Sequence, residues 1–198
     1  NTSDIQEILQ KSHDYQCTLT SQERSNILLK TADYLVKHKL ELAKLITLET
    51  GLSLKDTLYE VGRVVNCALY SSKVCHLVER DTTEEFILDS ENNRPSLQVV
   101  TEPYNLVLGI TPFNHPMNQV AHKIFPAISS SASIVIKPSE KTPLSAIKIV
   151  EILIKNGLPP DMVKIITGKN ASSILSKILS YDYMDMLTFT GGLSVGLK

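Results

Sequence analysis

The chain has 198 residues, 42% of them hydrophobic, which is enough to bury a substantial core and argues against a disordered protein. Lysine and arginine total 20 against 21 for aspartate and glutamate, and this net charge of -1 argues against nucleic acid or an anionic membrane as a partner. No apolar run reaches the roughly 20 residues of a membrane span, and the start lacks the pattern of a signal peptide, so we expect a soluble, cytoplasmic protein.

Residues 1–80 have the apolar spacing of helices. A capping box, Thr20-Ser21-Gln22-Glu23, predicts one helix start, and Gly51 is a natural residue to follow the end of a second helix. Ser53 can cap a third helix that continues to about residue 79, and Glu49 is expected to lie on a charged face that meets water. The apolar residues predicted to share one face of the third helix are Leu54, Leu58, Val61, Val65 and Leu69.

The pattern changes at residue 82. Two apolar stretches, 86–88 and 97–101, flank a turn-prone polar segment and predict a pair of strands. Phe86, Ile87 and Leu88 could belong to the core, but unpaired strands near a surface need covering, which favours a contact with another subunit. We therefore interpret residues 82–103 as a β arm.

From residue 105 onward, apolar β-branched runs alternate with helical patterns. The predicted strands are 106–110, 133–136, 163–166 and 186–189, and the predicted helices are 116–129, 143–156 and 170–180. This alternation predicts an α/β fold with a Rossmann-like parallel sheet and crossover helices, preceded by N-terminal helices and the protruding β arm. The strands of such a sheet should be buried on both faces.

Ligands of such sheets bind at the carboxyl ends of the strands, where four loops should open on one edge. These loops are Thr111-Pro112-Phe113-Asn114-His115-Pro116, Lys137-Pro138-Ser139-Glu140, Thr167-Gly168 and Thr190-Gly191-Gly192. Taken singly, each loop could equally be an ordinary turn that ends a strand, and the chain has no G-x-G-x-x-G motif. Their joint occurrence favours a dinucleotide site.

Each loop has chemistry suited to part of a dinucleotide. Glu140 can accept hydrogen bonds from both ribose hydroxyls while Lys137 donates to one, and the carboxylate would repel a 2′-phosphate. This mildly favours NAD over NADP. Gly191 and Gly192 allow the backbone to approach a pyrophosphate, and a helix predicted from Leu193 would direct its first amides toward negative charge.

Motifs along the chain, in order and approximate spacing, resemble those of the aldehyde dehydrogenase superfamily from about residue 20 onward. The motifs are Glu49-Thr50-Gly51, Pro112-Phe113-Asn114-His115-Pro116, Lys137-Pro138-Ser139-Glu140-Lys141-Thr142-Pro143, Gly157-Leu158-Pro159, Thr167-Gly168 and Phe189-Thr190-Gly191-Gly192. The resemblance implies NAD(P)-dependent oxidation of an aldehyde to a carboxylic acid through a cysteine thiohemiacetal.

The resemblance also implies roles for particular residues. Asn114 would supply the side-chain amide of the oxyanion hole, although an asparagine here could instead cap the helix that starts near Pro116. Lys137 and Glu140 would hold the adenosine ribose, and residues 82–103 would form a homo-oligomerisation arm. The candidate cofactor-binding residues are Ile110, Thr111, Pro112, Phe113, Lys137, Ser139, Glu140, Gly168, Phe189, Thr190, Gly191, Gly192 and Val195.

The chain departs from the family pattern at Gly192, where many members have serine, and at Ser131 and Ala132, where many have Gly-Asn. Its motifs look most like the branch that oxidises lactaldehyde or phosphonoacetaldehyde. Because this branch handles charged aldehydes, we hypothesise that His115 and Arg63 bind the phosphonate or carboxylate of an anionic substrate. A solvated helix face is the alternative for Arg63, and His115 could instead be a base or a packed side chain.

The cysteine nucleophile and glutamate base of the family lie beyond the Phe189-Thr190-Gly191-Gly192 loop. Cys17, Cys67 and Cys75 precede the sheet and are expected to be buried, inert thiols, so the chain alone should not oxidise aldehydes. We expect an incomplete aldehyde dehydrogenase fold with a helical part (1–81), the β arm (82–103) and a dinucleotide-binding part (104–198), without the catalytic domain. A non-catalytic nucleotide-binding or interaction protein and a degenerate remnant are the alternatives, and no metal site is predicted.

Overall fold

A computed structural model describes residues 2–80, 83–87 and 96–197. In this part of the chain the elements are α1 (Thr2–Asp14), α2 (Ser21–Lys37), α3 (Lys39–Thr50), α4 (Leu54–Arg80), β1 (Thr83–Ile87), β2 (Ser96–Val100), β3 (Leu106–Ile110), α5 (Pro116–Ser129), β4 (Ser133–Lys137), α6 (Leu144–Lys155), β5 (Val163–Ile165), α7 (Ala171–Leu179), β6 (Met186–Phe189) and α8 (Leu193–Gly196). None of the helices described is both long enough and apolar enough to cross a membrane.

Local signals set the ends of the N-terminal helices as predicted. The Glu23 amide donates to Thr20 Oγ1 at 3.3 Å, and the Thr20 amide donates to Glu23 Oε2 at 2.8 Å, which completes the capping box of α2. Gly51 ends α3 with a φ of 75°, a left-handed conformation that costs glycine little. Both predictions are confirmed.

The predicted apolar face of α4 is only partly right, since Leu58, Val61 and Val65 pack against the core. Of its five apolar members only Val61 is fully buried, and Leu54 and Leu69 are exposed. The face that packs against α2 and α5 is mainly small and polar, and its buried members are Thr57, Glu60, Val61, Val64, Ala68, Ser71, Ser72 and Cys75. Small side chains let the helix axes approach closely, so size decides this face as much as hydrophobicity does.

Strands β1 and β2 form a separate antiparallel pair, with Thr83 opposite Val100 and Ile87 opposite Ser96. The predicted pair of strands is confirmed, although the first strand begins three residues earlier than expected. Leu88 and the rest of the connecting loop lie outside the described residues. The subunit contact proposed for this arm stays a prediction.

The second sheet has four parallel strands in the order β5-β4-β3-β6. Alternate side chains of β3 and β4 enter two apolar clusters. Val107 and Ile134 pack on one face with α5 and α6, while Leu108 and Val135 pack on the other with α1 and α7. The parallel sheet covered by helices on both faces confirms the predicted α/β fold.

Both edge strands depart from the prediction of burial on both faces, β6 more than β5, in which Lys164 and Ile165 are half-buried. In β6, Met186 and Leu187 are 42% and 48% exposed. The position of β6 explains this exposure. It is the edge strand next to β3, and the helices pack mainly over the central strands β3 and β4.

The chain path creates a switch point beside β3. The crossovers through α5 and α6 lie on one face and carry the chain from β3 to β4 and β5. Helix α7 then lies on the other face and returns the chain to β6, on the opposite side of β3. Ligands of open α/β sheets bind at the carboxyl end of the strands at such a reversal.

Candidate functional site

The four predicted loops lie together at one edge of the sheet, as expected. Backbone hydrogen bonds tie the strand ends laterally: the Thr111 amide donates to the Lys137 carbonyl at 3.3 Å, and the Thr190 amide donates to the Ile110 carbonyl at 3.0 Å. The Ile166 amide donates to the Ile136 carbonyl at 2.9 Å. The loops that follow β3, β4, β5 and β6 therefore start from strand ends that are hydrogen-bonded to one another.

The loop after β3 presents Asn114 to the outside. Its side chain is exposed and makes no hydrogen bond to any residue in the described part of the chain. Helix α5 begins at Pro116, and His115 rather than Asn114 occupies the cap position, without a side-chain hydrogen bond to the helix. The alternative in which Asn114 caps this helix is therefore wrong, and its amide is available to a ligand.

Glu60 of α4 caps α5, a role that the sequence pattern did not predict. The Glu60 side chain is only 1% exposed. Its Oε1 accepts from the amides of Met117 at 2.9 Å and Asn118 at 3.0 Å, and its Oε2 lies 3.2 Å from His115 Nδ1. The available signal was a carboxylate one helical turn from Thr57 and Val64, on the face of small residues that the apolar pattern did not select.

His115 and Arg63 were predicted to bind an anionic substrate. His115 is partly exposed but its Nδ1 faces the Glu60 carboxylate, which leaves Nε2 as the ring atom available to a ligand. Arg63 is exposed, three residues or about 4.5 Å along the axis of α4 from Glu60. The joint anion site stays a prediction, with Glu60 as a partner of His115 that the prediction did not include.

The loop after β4 contains the predicted ribose ligands. Lys137 is buried, its Nζ donates to the Pro138 carbonyl at 3.1 Å, and it lies 3.9 Å from Glu140 Oε2. Burial lowers the pKa of Lys137, and the Glu140 carboxylate partly opposes that shift. Ser139 faces its own loop, since its Oγ accepts from the Lys141 amide at 3.3 Å.

The first and second loops are in contact. Thr142 Oγ1 lies 3.5 Å from the Phe113 carbonyl, and Lys141 Nζ lies 4.7 Å from the centroid of the Phe113 ring. In the first loop Ile110 is buried, Pro112 is half-buried, and the buried Thr111 Oγ1 has no hydrogen-bond partner among the described residues. This contact joins the loop that follows β3 to the loop that contains Lys137 and Glu140.

In the other two loops, side chains lie close to the glycines. A Cβ on Gly168 would lie 2.4 Å from Ile174 Cδ1, and one on Gly191 would lie 2.6 Å from Phe189 Cζ. Gly192 has open space around it and precedes the short helix α8, which contains the exposed Val195. The helix predicted from Leu193 is thus confirmed, and Gly191 has a packing role besides any approach to a ligand.

Lys123 of α5 connects the switch point to β6 and was also missed. The side chain is buried, and its Nζ donates to Thr188 Oγ1 and to Thr190 Oγ1, each at 3.0 Å. Burial lowers the pKa of Lys123. A lysine on the otherwise apolar side of a helix was the signal in the sequence.

Replacing Lys123 with methionine should change how stability depends on pH. The pKa of Lys123 in the folded state lies below its ordinary value of 10.5, so between the two values the unfolded chain binds more protons. This group therefore adds stability as the pH rises toward 10.5. Urea unfolding of both proteins should be measured from pH 7.5 to 10.5. The free energy of unfolding of the wild type should rise with pH relative to that of Lys123→Met. A difference that stays constant with pH would contradict the lowered pKa of Lys123.

Glu49 has a structural role that differs from the expected solvated face. Its Oε2 accepts from the Ser145 amide at 2.9 Å, and its carboxylate also accepts from the Leu144 amide and the Ser145 hydroxyl. Glu49 thus caps α6 from α3, just as Glu60 caps α5 from α4. The motif Glu49-Thr50-Gly51 joins this cap to the left-handed end of α3.

The three cysteines are free thiols, but the predicted burial holds only for Cys75, because Cys17 and Cys67 are half-buried. Burial raises the pKa of Cys67 to about 11 and also raises that of Cys75, whose Sγ donates to the Ser71 carbonyl. Both stay protonated at neutral pH and are poor nucleophiles.

Within the described ranges, no group of three or more His, Cys, Asp or Glu side chains could hold a metal ion.

This fold and edge define an α/β protein whose loops are arranged as in dinucleotide-binding domains. The sequence matches the aldehyde dehydrogenase family over residues 1–198, and the chain belongs to that family. It is similar to the mitochondrial succinate-semialdehyde dehydrogenase of Arabidopsis thaliana, with 36% identity over 180 residues that cover 91% of this chain and 33% of the relative. It is 37% identical over 179 residues to the lactaldehyde dehydrogenase of Methanococcus aeolicus, covering 87% of this chain and 36% of the relative.

Solved structures show the same fold. The chain resembles the NADP-dependent glyceraldehyde-3-phosphate dehydrogenase of Bacillus halodurans in complex with NADP, with a TM-score of 0.89, 29% identity and coverage of 100% of this chain and 42% of that one. For the betaine aldehyde dehydrogenase of Staphylococcus aureus in complex with NAD+, the TM-score is 0.86, with 29% identity and coverage of 99% and 39%. The predicted family is confirmed, and the chain spans about a third to two fifths of the length of these proteins.

Proposed function

We propose that these residues are the nucleotide-binding part of an enzyme that oxidises an aldehyde to a carboxylic acid with NAD(P). One observation carries the proposal: an exposed Asn114 amide, with no hydrogen bond to the residues that the structure describes, lies on the same sheet edge as the Lys137–Glu140 pair. An amide that can donate to an oxyanion and a pair that can hold a ribose are both needed for this reaction, at one site. Fold alone would not support it, since α/β sheets serve many functions.

The residues present fit a dinucleotide. Lys137 Nζ has three donors, and among the described residues one carbonyl accepts from it within hydrogen-bond distance, so this buried ammonium has capacity left for a ribose hydroxyl. Glu140 is exposed beside it and can accept from the same ribose. The relatives' structures hold NAD+ in one case and NADP in another, and the Glu140 carboxylate leads us to favour NAD over NADP.

The bound nicotinamide would supply a hydride acceptor. The chain's own contribution is to hold and orient: Asn114 Nδ2 would donate to the aldehyde oxygen as negative charge develops on it, which lowers the barrier to attack on the carbonyl carbon. Lys137 and Glu140 would fix the cofactor end of the site. The nucleophilic cysteine and the glutamate base that the resemblance implies would come from residues outside this sequence.

A non-catalytic nucleotide-binding protein is the second candidate. If the protein has no further cysteine, the protonated state of Cys67 and Cys75 favours this candidate, because the site could then bind a nucleotide but would have no thiolate to attack an aldehyde.

For either candidate we propose that the β arm, residues 82–103, contacts a second copy of the protein, and that residues 104–198 bind the cofactor. An anionic aldehyde as the substrate and the cytoplasmic location also stay predictions.

The test is an intact-mass determination of the protein at the length its gene specifies, followed by titration with NAD and NADP and an aldehyde oxidation assay. We expect saturable NAD binding, weaker NADP binding and aldehyde-dependent NADH formation by a protein much heavier than 22.0 kDa. A mass of 22.0 kDa with NAD binding and no oxidation would favour the second candidate. Absence of binding to either nucleotide would contradict both.

A further inference from the structure

We propose that Glu60 is a positioning residue for the turn that contains Asn114, residues 113–115. It would hold this turn by accepting hydrogen bonds from the first free amides of α5. The inference rests on the proposed function, because it assigns the turn a task in aldehyde oxidation. Glu60 itself would contact neither substrate nor cofactor.

Three contacts converge on this one carboxylate. The Met117 and Asn118 amides donate to Oε1 at 2.9 and 3.0 Å, and His115 Nδ1 lies 3.2 Å from Oε2. The first amides of a helix have no partner inside it, and buried amides must be satisfied from elsewhere. Residues 115, 117 and 118 are thus anchored to α4, a helix more than fifty positions earlier in the chain.

The turn has no comparable anchor of its own. His115 adopts a left-handed conformation, with φ 52° and ψ 55°, that is unfavourable for a residue with a side chain, and it makes no capping hydrogen bond. Asn114 makes none to the described residues and is exposed. On the preceding side, the Phe113 carbonyl has only the long contact of 3.5 Å from Thr142 Oγ1. The direction of the Asn114 amide is therefore set mainly through the backbone that Glu60 holds.

The consequence is a division of roles between Asn114, which contacts the reacting oxygen, and Glu60, which fixes its position. Small displacements of a catalytic donor lower the rate without abolishing binding, because the hydrogen bond is formed with the transition state. Loss of Glu60 should therefore lower kcat while the KM for NAD changes little, since Lys137 and Glu140 belong to a different loop.

The experiment measures kcat at saturating NAD, and amide hydrogen exchange, for variants of the protein at its native length. We expect Glu60→Ala to lower kcat about 10-fold and to speed exchange at residues 117 and 118. Glu60→Gln keeps one oxygen that can accept from both amides, so it should restore most of kcat. The double variant Glu60→Ala/Asn114→Ala should have the kcat of Asn114→Ala alone, because the position of residue 114 no longer affects the rate once its side-chain amide has been removed.

Glu49 offers a matched control. Its carboxylate caps α6 from α3 with the same pattern of two amides and one side-chain group. Glu49→Ala should lower the melting temperature about as much as Glu60→Ala and speed exchange at residues 144 and 145, but leave kcat at saturating NAD unchanged. Equal losses of kcat in the two variants would mean that Glu60 acts only through general stability and would overturn the proposal.

Other outcomes separate this inference from the proposed function. If Asn114→Ala lowers kcat but Glu60→Ala does not, or if the two losses multiply in the double variant, the Glu60 proposal fails while the proposed function stands. If the unmodified protein does not oxidise aldehydes, the proposed function fails. The holding of the turn is then decided by exchange at residues 117 and 118, and unchanged exchange in Glu60→Ala overturns it.

Discussion

Replacing Asn114 with alanine is expected to lower kcat for aldehyde oxidation by about 100- to 1,000-fold in the protein at its native length. Removal of one oxyanion-hole donor typically costs a factor of that size, because the hydrogen bond strengthens as charge develops in the transition state. The exposed side chain makes no hydrogen bond within the described residues, so its loss should leave the melting temperature within about 1 °C of the wild type. Steady-state kinetics and thermal unfolding on the same preparations measure both effects.

The control for this variant is Asn26→Ala. Asn26 is also exposed, but it lies on α2, outside the four loops, and its Oδ1 accepts from Gln22. It should keep full activity. NAD affinity should be the same for Asn114→Ala, Asn26→Ala and the wild type, since Asn114 is assigned to the aldehyde oxygen and not to the nucleotide. A kcat for Asn114→Ala within threefold of the wild type would contradict the oxyanion role.

Replacing Lys137 with methionine is expected to raise the dissociation constant for NAD by about 10- to 100-fold. A hydrogen bond that involves a charged group contributes about 1.5–3 kcal/mol, and each 1.4 kcal/mol corresponds to a factor of ten. Methionine preserves much of the side-chain volume at this buried position, so the change removes the donor and leaves the packing largely intact. Isothermal titration calorimetry on the wild type and the variant measures the effect directly.

The chain contains a matched pair for this experiment. Lys148 and Glu151 are also three residues apart, with an Nζ–Oε2 distance of 3.5 Å, but they lie on α6, outside the loops. Lys148→Met should therefore bind NAD like the wild type. If both methionine variants bind NAD with the same affinity as the wild type, the ribose role of Lys137 is wrong; if both lose affinity equally, the effect is one of overall charge.

The strands and the order of the loops could be predicted from the sequence because their signals are local. Short apolar runs between helical patterns identified β3 and β6 with their observed bounds, and Thr20 and Gly51 identified helix ends from residues within one turn. The edge on which the loops meet also followed, since parallel strands bring all their carboxyl ends to one side.

What only the tertiary structure decided is which buried polar groups pair with one another. Glu60 reaches an amide 57 positions later, Lys123 reaches Thr190 67 positions later, and Glu49 reaches Leu144 95 positions later. Each pairing depends on two helices, or a helix and a strand, packing at a particular distance, and in α4 small residues set that distance rather than the apolar ones that the pattern selects. The sequence thus determined the family, the sheet and the loops in which ligand-binding residues are predicted, whereas the packing of distant elements determined which side chains hold those loops in place, because a buried polar group must find its partner wherever the fold brings one.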